Sequence, residues 1–306
     1  MPKMHVSRSV NIAAPIEKIY STLNDFHNWE AWSPWLIMEE GAKLNIDEDG
    51  KHYGWEGERI GSGNMTVLRE EENKRIDYDL IFLKPWKSKA KTWFEFEQAG
   101  EEVKVTWTMD SSLPFFMFFM KKMFEGFVGM DYERGLSMLK ELSETGAVLS
   151  KLDLKGEGSF DGFDYVGITT ECDMDQLGTK MEGDLTELGK WVPENAEASA
   201  PPFTIYHKWD IVKKRVHYTS AVPVKEVPSD LPTKFKSGTM PNLRTYVVSH
   251  TGKYDHLGNA WSTVMNLQQN KAFKQNKKQH PFEVYVNDPS EVAEKDLVTE
   301  VHFPVK

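Results

Sequence analysis

A single cysteine, Cys172, stands in this 306-residue chain, which excludes an internal disulfide and fits a reducing compartment. The chain has no HExxH, CxxC, GxSxG or GxxxxGK[ST], so the commonest zinc-protease, thiol-redox, esterase and P-loop chemistries have no footing in it. GERIGSGNM (57–65) is rich in glycine but sits between strands, without a following helix whose amides could hold a phosphate. The histidines are scattered, and His250 and His256 are wrongly spaced to share one face of a helix toward a metal. No metal and no cofactor are expected. Cations are in deficit: 37 Lys and Arg against 47 Asp and Glu give a net charge of −10, too acidic for a broad nucleic-acid surface. The two basic clusters, KPWKSKAK (84–91) and KAFKQNKKQ (271–279), read as solvated strand ends and loops.

Long apolar runs are missing too. The opening MPKMHVSRSVNIAAP carries none of the length that a signal peptide needs. The most apolar stretch, LPFFMFFMKKMF (113–124), is broken by Lys121 and Lys122 and is far too short to span a bilayer. The expectation is a cytoplasmic protein with neither a nucleic-acid nor a membrane partner.

What is present is a folding composition, 40% hydrophobic and 27% charged, long enough for two ordinary domains. The first half opens with a strand, HVSRSVNI (5–12), then a short helix in which Ile16, Ile19, Tyr20 and Leu23 recur at i, i+3, i+4 and i+7. TWFEFEQ (92–98) and EVKVTWTM (102–109) alternate in the manner of half-buried strands around an AGEE connection. A long helix over roughly 120–143 closes this half, with Phe124, Val128, Tyr132, Leu136 and Leu139 as its stripe. Helix, antiparallel meander and closing helix make an α+β domain over 1–145. The segment GAVLSKLDLKGEGSFDG (146–162) lacks sustained periodicity and is rich in glycine and charge, so 146–160 is taken as a linker and 161–306 as the second domain.

The second half repeats itself. DQLG (175–178) recurs as DHLG (255–258), Pro-Phe at 202–203 recurs at 281–282, and the proline of SAVPV (220–224) recurs in VHFPV (301–305), at spacings of 80, 79 and 81 residues. Two modules of strand, helix, strand, strand follow, related by a pseudo-two-fold axis with a cleft on it.

Strand alternation places Tyr206 and Tyr285 at equivalent positions on the less apolar face, with Glu283 beside Tyr285. On the final strand Glu300 and His302 share a face. The candidate site is therefore a cleft lined by Tyr206, Tyr285, Trp209 and Trp261, with Glu300 as its anchor and Glu283 and His302 as further polar contacts. Aromatic faces with one carboxylate suit a planar or cationic apolar guest. An enzyme is the less favoured reading, a hydrolase in which Glu300 or Glu283 positions water and Tyr285 or Tyr206 donates a proton. The first half holds seven of the ten tryptophans. Such a content fits either a dense core or a roomy cavity under the long helix, and Trp32, Trp35, Trp55, Trp93, Trp107 and Phe124 are the expected lining.

Two resemblances sharpen this reading. VSRSVNIAAPIEKIYSTLNDFHNWEAWSPW together with MDYERGLSMLKELSE resembles the START-like, helix-grip SRPBCC superfamily, often labelled polyketide cyclase/dehydrase. That implies an antiparallel sheet around a long C-terminal helix, with apolar ligands beneath it. HTGKYDHLGNAW, FEVYVNDP and LVTEVHFPV resemble the GyrI-like effector-binding domain. That implies small, often cationic or planar, apolar ligands met by a glutamate, matched here to Glu300. Together they imply sensing, sequestration or resistance through ligand binding.

Overall fold

A computed structural model describes residues 2–306. The chain forms two compact units, one ending at Val148 and one beginning at Leu149. In the first, β1 (Lys3–Ile12) leads into α1 (Ile16–Asn24), whose Ile19, Tyr20 and Leu23 are buried as their spacing predicts. The meander then runs through β2 (Lys43–Ile46), β3 (His52–Glu56), β4 (Ser62–Glu71), β5 (Arg75–Lys84), β6 (Ser88–Ala99) and β7 (Glu102–Ser112). They form one antiparallel sheet in the order β1-β7-β6-β5-β4-β3-β2. The closing helix, α2 (Lys121–Thr145), ends at Gly146, whose φ of +88° suits the left-handed cap and would strain another residue.

One aromatic stack fixes α2 to the sheet. Trp107 of β7 lies 3.8 Å from Tyr132 of α2, nearly parallel at 8°, and 4.8 Å from Phe94 of β6. Its indole N–H donates to Thr92 Oγ1 at 2.9 Å, and Thr92 donates to the carbonyl of Thr108. The polar edge of a buried tryptophan is thereby satisfied while its faces carry the packing. Trp29 and Trp32 complete this core, each only 1% exposed.

The second unit contains β8 (Ser150–Phe160), β9 (Phe163–Asp173), α3 (Leu177–Asn195), β10 (Phe203–Asp210), β11 (Arg215–Val224), β12 (Phe235–Met240), β13 (Leu243–Gly252), α4 (Gly258–Gln269), β14 (Phe282–Tyr285) and β15 (Val298–Pro304). Residues 150–160, expected within a linker, are a strand. β8 is an edge strand paired only with β13, so most of its side chains are exposed and its sequence shows little apolar period. The eight-stranded order, β12-β9-β11-β10-β14-β15-β13-β8, reads the same from either end when the modules are exchanged. Its centre is the pairing of β10 with β14, the two Pro-Phe strands. Leu188 and Val192 of α3 pack on Val166, Val222 and Val224, and Val264 of α4 packs on Val248, Val301 and Phe303. Both helices therefore cover the same face of the sheet.

Trp107→Ala removes the centre of the stack and is expected to cost about 3–5 kcal/mol, the usual range for emptying a buried tryptophan site. Urea unfolding of the full chain followed by near-UV circular dichroism measures it.

Candidate functional site

The site grows from the pairing at the pseudo-axis. Thr204 of β10 and Glu283 of β14 are a register pair, and they are also the equivalent residues of the two Pro-Phe strands. The modules thus differ in one side chain at their own junction: a hydroxyl in one, a carboxylate in the other. Tyr206 and Tyr285 stand on the same face, two residues along each strand. The Tyr206 hydroxyl donates to Glu283 Oε2 at 2.9 Å and the Tyr285 hydroxyl to the same oxygen at 2.8 Å. Tyr285 also lies 3.1 Å from Thr204 Oγ1. From α4, the indole N–H of Trp261 donates to Glu283 Oε1. Met181, which the 80-residue repeat makes the α3 counterpart of Trp261, reaches the Tyr285 hydroxyl with its sulfur at 3.0 Å.

Trp209 joins this group because of a backbone irregularity. A bulge between Tyr206 and Lys208 shifts the register, so Trp209 pairs with Val216 and returns to the Tyr206 face. Its ring lies 5.4 Å from Tyr206 and 6.1 Å from Trp261, and its indole N–H is buried without a hydrogen-bond partner among the described residues. Beside it, Tyr218 of β11 donates to Asp184 of α3 at 3.1 Å, and Thr170 donates to the same carboxylate at 2.7 Å.

Electrostatics single out Glu283. It is 2% exposed, forms no ion pair among the described residues, and is met only by neutral donors. Burial pushes its carboxyl above the ordinary value of 4.5, against the pull of Trp261, Tyr285 and Tyr206. Burial, then the charge of Glu283, pushes both tyrosines well up, which keeps them protonated and donating.

Glu300 and His302 are elsewhere. Glu300 pairs in register with Val284 and His302 with Phe282, so both share the face opposite Glu283 and the tyrosines. There Glu300 lies 3.3 Å from His302 Nε2 and accepts from Lys155 at 2.7 Å. His302 stacks on Phe282 at 4.6 Å. The expected grouping of Glu300 and His302 with the tyrosines is thus corrected, because alternation along β15 does not reveal which side faces α4. Tyr206, Tyr285, Glu283, Trp209 and Trp261 are brought together. Met181, Thr204 and the Asp184–Tyr218 pair were missed. For Asp184 a signal existed: it interrupts the apolar stripe of α3 between Leu177 and Leu188.

In the first unit Trp35, Trp55 and Trp107 line a cavity of about 50 Å³ with Tyr53, Phe82 and Tyr132. Sites for drug-sized ligands run to about 300–1,000 Å³, so this interior is essentially filled by its own rings. Trp32 is packed against Trp29 and Phe124 is half-buried on the core. Trp93 faces away: it lies on the outer side of β6 under the Arg75 guanidinium, 4.8 Å from its ring centre. Its place in the cavity is corrected by the alternation of β6 itself, which turns Thr92 and Phe94 inward. Among the described residues no group of three or more His, Cys, Asp or Glu is arranged to hold a metal, and no helix is long and apolar enough to cross a membrane.

The fold is that of an α+β protein of two units. Residues 3–144 match the polyketide cyclase / dehydrase and lipid transport family, and residues 159–306 match the GyrI-like small molecule binding domain, which supports small-molecule binding. A Streptomyces cyaneus protein carrying a provisional polyketide cyclase name is 22% identical over 120 residues, covering 36% of this chain and 73% of that protein. EcmrR in a complex with DNA is similar at 17% identity and a TM-score of 0.43, over 58% of this chain. The match spans 65% of that EcmrR chain, slightly less than two thirds of its length. SAV2435, solved with tetraphenylphosphonium, is similar at 15% identity and a TM-score of 0.39, over 49% of this chain and 92% of that one.

The two carboxylates predict opposite effects on stability. The raised value of Glu283 means the folded chain holds its proton more readily, so ionising it costs stability as pH rises above about 4.5. Glu283→Gln should raise the thermal midpoint at neutral pH, and the difference should close below that value. The close neighbour His302, then Lys155, lowers Glu300 to about 2, so its stabilisation is complete above about 4.5 and lost as pH falls toward 2. Glu300→Gln should lower the neutral-pH midpoint. Scanning calorimetry of both variants across pH checks the signs.

Proposed function

We propose that the C-terminal unit binds a small apolar cation, flat or compact, with Glu283 as counter-charge and Tyr206, Tyr285, Trp209 and Trp261 as its walls. The observation that carries this reading is a fully buried carboxylate with three neutral donors and, among the described residues, no cation opposite it. Hydrogen bonds soften the desolvation of such a group but do not neutralise it. A ligand cation supplies the missing charge, and aromatic faces hold cations at about 0.5–2 kcal/mol each. The protein would then act by sensing or sequestering such compounds, without turnover.

Tetraphenylphosphonium serves as the cationic probe and triphenylphosphine oxide as a neutral one, titrated calorimetrically into the full chain. Glu283→Gln should weaken the cation about tenfold or more, from loss of a buried charge contact worth roughly 1.5–3 kcal/mol, and leave the neutral probe nearly unchanged. Affinity for the cation should rise with pH through the titration of Glu283, since the ionised form is the one that binds. Glu300→Gln should leave it unaltered. Equal loss of both probes in Glu283→Gln, or cation binding independent of pH, would count against the reading.

A further inference from the structure

The N-terminal unit carries a surface that ligand binding in the other unit does not use. Between β7 and α2, residues Phe115–Met120 form a single 3₁₀ stretch, FFMFFM. Phe115, Phe116, Phe118 and Phe119 are 77%, 74%, 60% and 72% exposed. Side chains at i and i+3 eclipse in a 3₁₀ turn, so Phe115 stands over Phe118 and Phe116 over Phe119. The 115–118 rings lie 6.1 Å apart and the 118–119 rings 5.9 Å. Isolated exposed apolar residues are ordinary, but four phenylalanines within five positions are not.

The topology sets a second exposed aromatic beside them. β7 ends at Ser112, next to the start of β1 at Lys3, and Ala90 pairs with Ser111. The turn joining β5 to β6 therefore projects at the same end of the sheet, and at its tip Trp86 is 52% exposed. α2 starts there too, since the backbone N–H of His5 near the start of β1 donates to Glu125. Lysines belong to the same end of the unit: Lys87, Lys89 and Lys122 are exposed, while Lys84 and Lys121 stand against Glu56 and Glu125 at 3.2 and 3.5 Å.

We propose that this end of the N-terminal unit adsorbs to an anionic lipid bilayer, with Phe115–Phe119 and Trp86 entering the interface and the lysines of that end meeting lipid phosphates. The protruding rings fit a deformable interface rather than a groove that would receive a partner helix, and aromatic side chains with flanking lysines are the pairing that membrane surfaces favour. A second copy packed face to face would oppose lysine with lysine, which the charge pattern disfavours. Adsorption needs no spanning segment. The expectation of no membrane partner rests on the lack of one, and the short length of 113–124 bears only on crossing.

The full chain is sedimented with vesicles of phosphatidylcholine alone or mixed with phosphatidylserine. Cosedimentation with the mixed vesicles is expected, with weak binding to phosphatidylcholine and loss at high salt. Phe118→Ser/Phe119→Ser should weaken partitioning at least about tenfold. Lys87→Gln/Lys122→Gln should also weaken it about tenfold or more, at roughly fivefold per exposed lysine. These positions are exposed, so folding survives the changes, and unaltered circular dichroism verifies it. Failure to sediment with anionic vesicles overturns the proposal. So does a wild-type dimer in sedimentation velocity that Phe118→Ser/Phe119→Ser dissolves while vesicle binding is unchanged, since the patch would then be a contact between copies.

Discussion

Burial of one carboxylate beside a symmetry axis is the constraint around which the C-terminal unit is arranged. Register pairing sets position 204 directly against position 283. Two glutamates there would oppose like charges directly across the two strands, and one would have to stay protonated. The chain instead places Thr204 in one copy and Glu283 in the other. The tyrosines can be duplicated freely, because two neutral hydroxyls converging on one oxygen relieve the charge rather than compete with it. What is repeated surrounds the junction, and what is not repeated carries the carboxylate.

The elements further out follow from that arrangement. Equivalent helix positions deliver Met181 from α3 and Trp261 from α4 to the two sides of the cluster. A bulge of one residue returns Trp209 to the same face. In the N-terminal unit aromatic residues serve a different end. There Trp107, Tyr132 and Phe94 stack until only a small cavity remains. The same residue types thus pack a nearly filled core in one unit and surround a buried carboxylate in the other.

Much of this was legible in the chain. The 80-residue repeat disclosed the two modules, and strand alternation correctly placed Glu283 with Tyr285 and Tyr206. It equally put Trp93 opposite Phe94, so the error over Trp93 lay in weighing aromatic content above the period. Glu300 was illegible for another reason. Alternation ranks residues along one strand, but only the pairing of β15 with β14 tells which side Glu300 takes. Trp209 depended on a bulge without a sequence signature, and β8 on its partner β13, 98 residues away in the chain at the pair Leu152 and His250. Long-range register is where local reading ends.

The ionisation of Glu283 itself is the most direct test. Carbon-13 NMR of glutamate-labelled protein, with the Glu283 carboxyl resonance assigned through Glu283→Gln, follows it against pH with and without tetraphenylphosphonium. A midpoint above the ordinary carboxylate value of 4.5 in the free protein, falling when the cation is added, is the predicted result. A midpoint that the cation leaves unmoved, or one already at the ordinary value in the free protein, would contradict a buried counter-charge waiting for its ligand.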